Sequence, residues 1–134
     1  MKYGERSQYT ERLKEPYTLS VTGTSTAGGI VAAVTPETVT GYLHSIEYQK
    51  DDYSNGAVLL IDGTTSGQIA WTETGVNASE TLYPRRLGHT TAGADLSTLA
   101  VNEPLLFVDE TLTIALTGAG NVTAGTFIFT IIPV

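Results

Sequence analysis

The chain has 134 residues, 41% of them hydrophobic, with no cysteine and a net charge of −7. That is one ordinary domain's length, enough to bury a core without cross-links. The composition excludes disulfides and thiolate metal centres, and the acidic balance argues against nucleic-acid binding, which needs a basic groove.

The chain opens Met1-Lys2-Tyr3-Gly4-Glu5-Arg6, polar and charged where a signal peptide is apolar. No apolar run approaches the roughly 20 residues that span a bilayer. The reading is a soluble protein made inside the cell, with no membrane partner.

Residues 1–16 differ from the rest. They hold four of the seven basic residues (Lys2, Arg6, Arg12 and Lys14) and no Val or Ile. Pro16 closes the segment, since the residue before a proline is pushed out of the helical region. Tyr3, Tyr9 and Leu13 are anchors that a solvated tail would not need, and Arg6 and Arg12 accompany them. Aromatic and arginine side chains are enriched at protein interfaces. Residues 1–16 are therefore expected to form an extended N-terminal arm that docks on a neighbour. From Tyr17 onward three basic residues face eleven acidic ones, a balance of −8.

Residues 17–134 read as one β domain. Tyr17, Leu19 and Val21 alternate with Thr18, Ser20 and Thr22 at period two. A short apolar run over 30–34 follows. Next, Tyr42, His44, Ile46 and Tyr48 are expected on one face of a strand, with Leu43, Ser45 and Glu47 on the other. Asp51-Asp52-Tyr53-Ser54-Asn55-Gly56 is a turn cluster, and Asn-Gly signals a hairpin. Strands are expected over 57–61 and 68–72, the second with Ile69 and Trp71 on one face and Trp71 in the core. In Leu82-Tyr83-Pro84-Arg85-Arg86-Leu87 the proline bars a central strand position. Residues 89–97 are small and polar, a long loop. Residues 105–108, 112–117 and 126–134 supply the last strands. Eight to ten short strands at this spacing predict an all-β fold, a single β-sandwich or jelly-roll domain.

Chemistry is sparse. The two histidines are His44, mid-strand and read as structural, and His89, in the polar loop. No Gly-x-Ser-x-Gly nucleophile elbow and no phosphate-binding loop appears. Residues 51–62 faintly resemble a calcium loop, but Tyr53 stands where a carboxylate belongs, so a hairpin turn is the better reading. Asp109-Glu110 reads as a polar strand end whose side chains point apart. No catalytic residue, cofactor or metal site is expected, and the protein is read as a non-enzyme. The densest positive charge in the acidic body is Tyr83, Arg85 and Arg86, a candidate interface patch.

The segment Gly41-Tyr42-Leu43-His44-Ser45-Ile46-Glu47-Tyr48 resembles a strand of small virion proteins of tailed bacteriophages. Thr64-Thr65-Ser66-Gly67, Ile69-Ala70-Trp71-Thr72-Glu73, Val76-Asn77-Ala78-Ser79, Tyr83-Pro84-Arg85, Thr90-Thr91-Ala92-Gly93-Ala94 and Gly125-Thr126-Phe127-Ile128-Phe129 are similar too. In this order, over about residues 41–132, they resemble head decoration (cement) proteins. The resemblance implies a compact β-sandwich or jelly roll. It also implies homotrimers on the outer capsid surface of the virion, clamping subunits of the major capsid protein, after synthesis in the host bacterial cytoplasm. Two alternatives stand beside it. One is a tail- or baseplate-associated β domain. The other is a carbohydrate-binding module that stacks sugars on Tyr42, Tyr48, Tyr53 and Trp71.

Overall fold

The computed structural model describes residues 15–87 and 102–134. They form ten strands: β1 (Tyr17–Thr24), β2 (Val31–Val34), β3 (Val39–Gln49), β4 (Ala57–Gly63), β5 (Ile69–Val76), β6 (Glu80–Leu82), β7 (Arg85–Leu87), β8 (Asn102–Glu110), β9 (Leu112–Thr117) and β10 (Ala124–Pro133). No helix occurs among the described residues, so none is long and apolar enough to cross a membrane. Thr, Val, Ile and aromatic residues dominate the strands because a pleated, half-buried surface suits their branched or flat side chains.

Every strand pairing is antiparallel. One sheet runs β1-β10-β3-β8-β7, with β6 also on β3; the other runs β2-β9-β4-β5. The period-two pattern turns one face of each sheet inward. Leu19, Val21, Ile46, Tyr48, Phe127, Phe129 and Ile131 come from the first sheet, and Leu59, Ile61, Ile114 and Leu116 from the second. They belong to one core shared by both sheets. Each such side chain contributes about 1.5–3 kcal/mol by leaving water. The all-β expectation therefore holds.

Two expectations are corrected. The first concerns β3. Leu43 pairs with Ile131 and Ser45 with Thr130, so His44 is an extra residue, a β-bulge. The bulge shifts the alternation by one position. Tyr42 and His44 face solvent while Leu43, Ile46 and Tyr48 are buried. The simple alternation expected for this strand fails because it assumed an unbroken pleat.

The second correction concerns the Asn-Gly turn. Strands β3 and β4 belong to different sheets, so residues 50–56 cross from one sheet to the other and do not close a hairpin. Gly56, at φ +83°, supplies the left-handed backbone there. Tyr53, inside this connection, is 1% exposed and plugs the end of the core. Its hydroxyl donates to the Gly23 carbonyl, and its ring stacks on Tyr48 with centroids 6.3 Å apart. Phe127 completes the cluster, 5.3 Å from Tyr48 and 6.4 Å from Tyr53. Burial pushes both phenols, Tyr48 and Tyr53, up to about 12.

Candidate functional site

The predicted patch falls at the margin of the first sheet. Leu82 and Pro84 are buried and hold the segment down, while Tyr83, between them, is 57% exposed. Its ring meets the His44 imidazole edge-on, at 5.9 Å and 87°. Arg85 donates from Nη1 to the carbonyl of His44 at 3.0 Å and to that of Pro84 at 2.6 Å. Arg86 forms an ion pair with Glu103 at 2.8 Å, with both side chains largely in solvent. Such a pair is worth about 0–1 kcal/mol. The guanidinium groups are thus held in place at the surface. Proline 84 separates β6 from β7 and lies in neither, as its missing N–H requires.

The bulge joins this patch to a larger surface. Cross-strand pairing sets Ile132 beside Tyr42 and Tyr42 beside Leu106, an apolar row over β10, β3 and β8. All three side chains are exposed on the outer face, and Val108, two residues beyond Leu106, is 65% exposed. His44, two residues beyond Tyr42, links the row to Tyr83. Contiguous exposed apolar surface of this kind marks interaction sites.

At the far end of the row lies a depression of about 330 Å³ lined by Thr65, Ser66, Gln68, Leu106, Val108 and Glu110. Glu110 is 5% exposed. It accepts from the Thr65 N–H at 3.0 Å, the Ser66 N–H at 2.8 Å and the Ser66 hydroxyl at 2.7 Å. Burial pulls its carboxyl upward, but these donors outweigh it and leave it below the usual value. Asp109 is exposed, with φ +48°, so the two acids do point apart. Glu110 ends β8, as expected, and it also caps the turn between β4 and β5.

A carboxyl lowered in the folded state contributes stability above the unfolded pKa, and that contribution disappears as pH falls through the folded value. Glu110→Gln is therefore expected to cost about 1–3 kcal/mol at pH 7. The wild-type advantage should shrink below about pH 4.5, near the ordinary glutamate value. Urea unfolding across that range checks it, and a pH-independent difference would count against the assignment.

Tyr3, Arg6, Tyr9, Arg12, Leu13 and His89 lie outside the described residues. His44 is exposed and hydrogen-bonds Ser45 Oγ through Nδ1 at 3.2 Å. Among the described residues no carboxylate orients that imidazole, as a Ser-His-Asp triad requires. Tyr48 and Tyr53 are fully buried, Tyr42 stands on the outer face of the first sheet, and Trp71, half-buried against the core, lies on β5 of the second. These four aromatics form no common platform for a sugar.

Sequence reasoning singled out Tyr83, Arg85 and Arg86 as a candidate patch but not the outer row, since the bulge decides that Tyr42 faces out. It also missed Glu110, whose only signal was a Thr-Ser-Gly turn with N–H groups in need of an acceptor. No family model matches the chain, and neither a curated protein nor a solved structure matches it.

Proposed function

We propose that this domain is a non-catalytic binding module: a decoration protein of a tailed-bacteriophage head. It sits as a homotrimer on the outer capsid surface of the virion and clamps neighbouring subunits of the major capsid protein. The observation that carries this reading is the exposed surface running from Ile132 through Tyr42 and Leu106 to His44, Tyr83 and Arg85. It combines apolar area with rigid aromatic and planar cationic anchors, the composition of interface hot spots. An acidic body suits an outer surface that never meets packaged DNA. Many equivalent shell sites let individually weak contacts add up.

A jelly roll is the proposed topology. It is supported by the strand orders β1-β10-β3-β8 and β2-β9-β4-β5, in which the chain repeatedly changes sheets. Residues 1–16 are proposed as the arm that straps onto a neighbour.

The test is cosedimentation with expanded heads of the parent phage, beside light scattering of the free protein. Wild type should pellet with heads, and its solution mass should be that of three chains. Tyr83→Ala/Arg85→Ala/Arg86→Ala should bind about tenfold more weakly or worse. Its melting temperature should change little, because exposed substitutions act within about 0.5 kcal/mol each. Removing residues 1–15 should weaken attachment without unfolding the domain. Wild type that ignores heads, or a triple variant that binds as well, would overturn the proposal.

A further inference from the structure

Two arginines stand side by side in β7, and the fold answers their charges differently. Arg86 lies opposite Glu103 in the ladder and forms its ion pair with that side chain at 2.8 Å. Arg85 turns to the other face, since successive strand residues alternate. Among the described residues no carboxylate meets it. Its acceptors are two main-chain carbonyls, both served by Nη1: that of Pro84 at 2.6 Å and that of His44 at 3.0 Å. The second contact has a structural cause. His44 is the extra residue of the bulge and has no register partner in β10, β6 or β8. A bulged residue is left unpaired, and Arg85 supplies the donor that the ladder does not.

That anchoring occupies one end of the guanidinium only. The group carries five N–H donors in a flat fork. The two on Nη1 go to the carbonyls, and those on Nε and Nη2 meet no acceptor among the described residues. The Nε–Nη2 edge can hold a carboxylate by two parallel hydrogen bonds. Arg85 is exposed, and Tyr83, two residues before it, offers a 57% exposed ring braced edge-on by His44. A planar cation fixed in advance loses less freedom when it binds.

We propose that the Nε–Nη2 edge of Arg85 grips a carboxylate of the major capsid protein, an Asp or Glu side chain whose stem lies against Tyr83. This rests on the capsid reading above and adds the chemistry of its contact. Contacts between permanent copies are the more apolar kind, and the exposed row from Ile132 to Val108 supplies that surface. A planar cation beside an aromatic ring suits a partner met later. A nucleic acid fits poorly, because a chain of net charge −7 repels a polyanion. A single carboxylate needs this spot alone.

The test is zero-length coupling. Arg85→Lys places an amine at this position, and a water-soluble carbodiimide joins an amine to a carboxylate in direct contact. The full-length variant, saturating expanded heads of the parent phage, is expected to form an amide between position 85 and an Asp or Glu of the major capsid protein. Mass spectrometry of the digested complex reads the link. Arg86→Lys is the control and should couple to Glu103 of its own chain. In cosedimentation Arg85→Lys should bind heads about tenfold more weakly than wild type, since lysine keeps the charge and loses the fork. Its melting temperature should change little, because the ammonium keeps a donor for the His44 carbonyl. A link from position 85 to its own chain or to another copy would overturn the contact. So would no link to the capsid protein while the control couples, or Arg85→Lys that binds as tightly as wild type. Wild type that ignores heads would instead overturn the capsid reading itself, so the two failures are distinguishable.

Discussion

Gly125→Ala is expected to destabilise the domain by about 3 kcal/mol, the upper part of the range for overpacking. Gly125 is buried in β10, opposite Gly23 of β1. A Cβ there would stand 2.7 Å from Tyr53 Cδ2, closer still to Cε2, and 2.8 Å from the Gln49 carbonyl oxygen. The phenol ring cannot retreat easily. Its hydroxyl is tied to Gly23, and Tyr48 stacks on its face. The backbone of Gln49 belongs to β3, which is zipped to β10. Urea unfolding measures the loss. Combined with Tyr53→Ala, which removes the ring, Gly125→Ala should cost clearly less than alone, a coupling between contacting residues. Strict additivity would mean that the ring is not what excludes the methyl group.

Phe127→Ala should cost about 3–5 kcal/mol. Phe127 is 0% exposed and touches both stacked tyrosines. Its removal opens a cavity between rings that have no freedom to collapse. The phenol of Tyr53 would have to abandon a buried carbonyl to follow, and an unsatisfied buried polar group costs about 1–3 kcal/mol. A loss under 1.5 kcal/mol would show that the cluster relaxes more freely than its geometry implies. Neither substitution reaches the outer face, so head binding by the folded fraction should be unaltered.

Strand positions were legible because each run keeps apolar side chains on one face, which is a local property of the chain. β1, β9 and β10 fall where period two puts them, with Leu19, Ile114 and Phe129 inward. Long-range features were not legible. Whether Asn55-Gly56 closes a hairpin or carries the chain between sheets depends on partners far along the sequence. Ala57 begins β4, which lies between β9 and β5, with Val58 opposite Thr117 of β9, and does not pair with β3. Tyr53 looked like a turn residue because its neighbours are Asp, Ser and Asn, yet its ring fills the core. Of the candidate surface, Tyr83, Arg85 and Arg86 were visible as an unusual composition. The row beside them was hidden, since in an unbroken pleat Tyr42 and Ile46 share a face and in the bulged strand they do not.

The extra residue at His44 also bears on how the chain finds and keeps its pairing. Sliding β3 by one residue along β10 would bury Tyr42 or Glu47 and expose Leu43 or Tyr48, and a slip flips every side chain it touches. The bulge adds a second constraint, because the two halves of β3 are out of phase and a single shift cannot satisfy both. β3 is therefore keyed like a notched rail, with one seating against its neighbour. A strand of unrelated sequence would need the same notch to replace it, so the bulge reserves the centre of this sheet for β3.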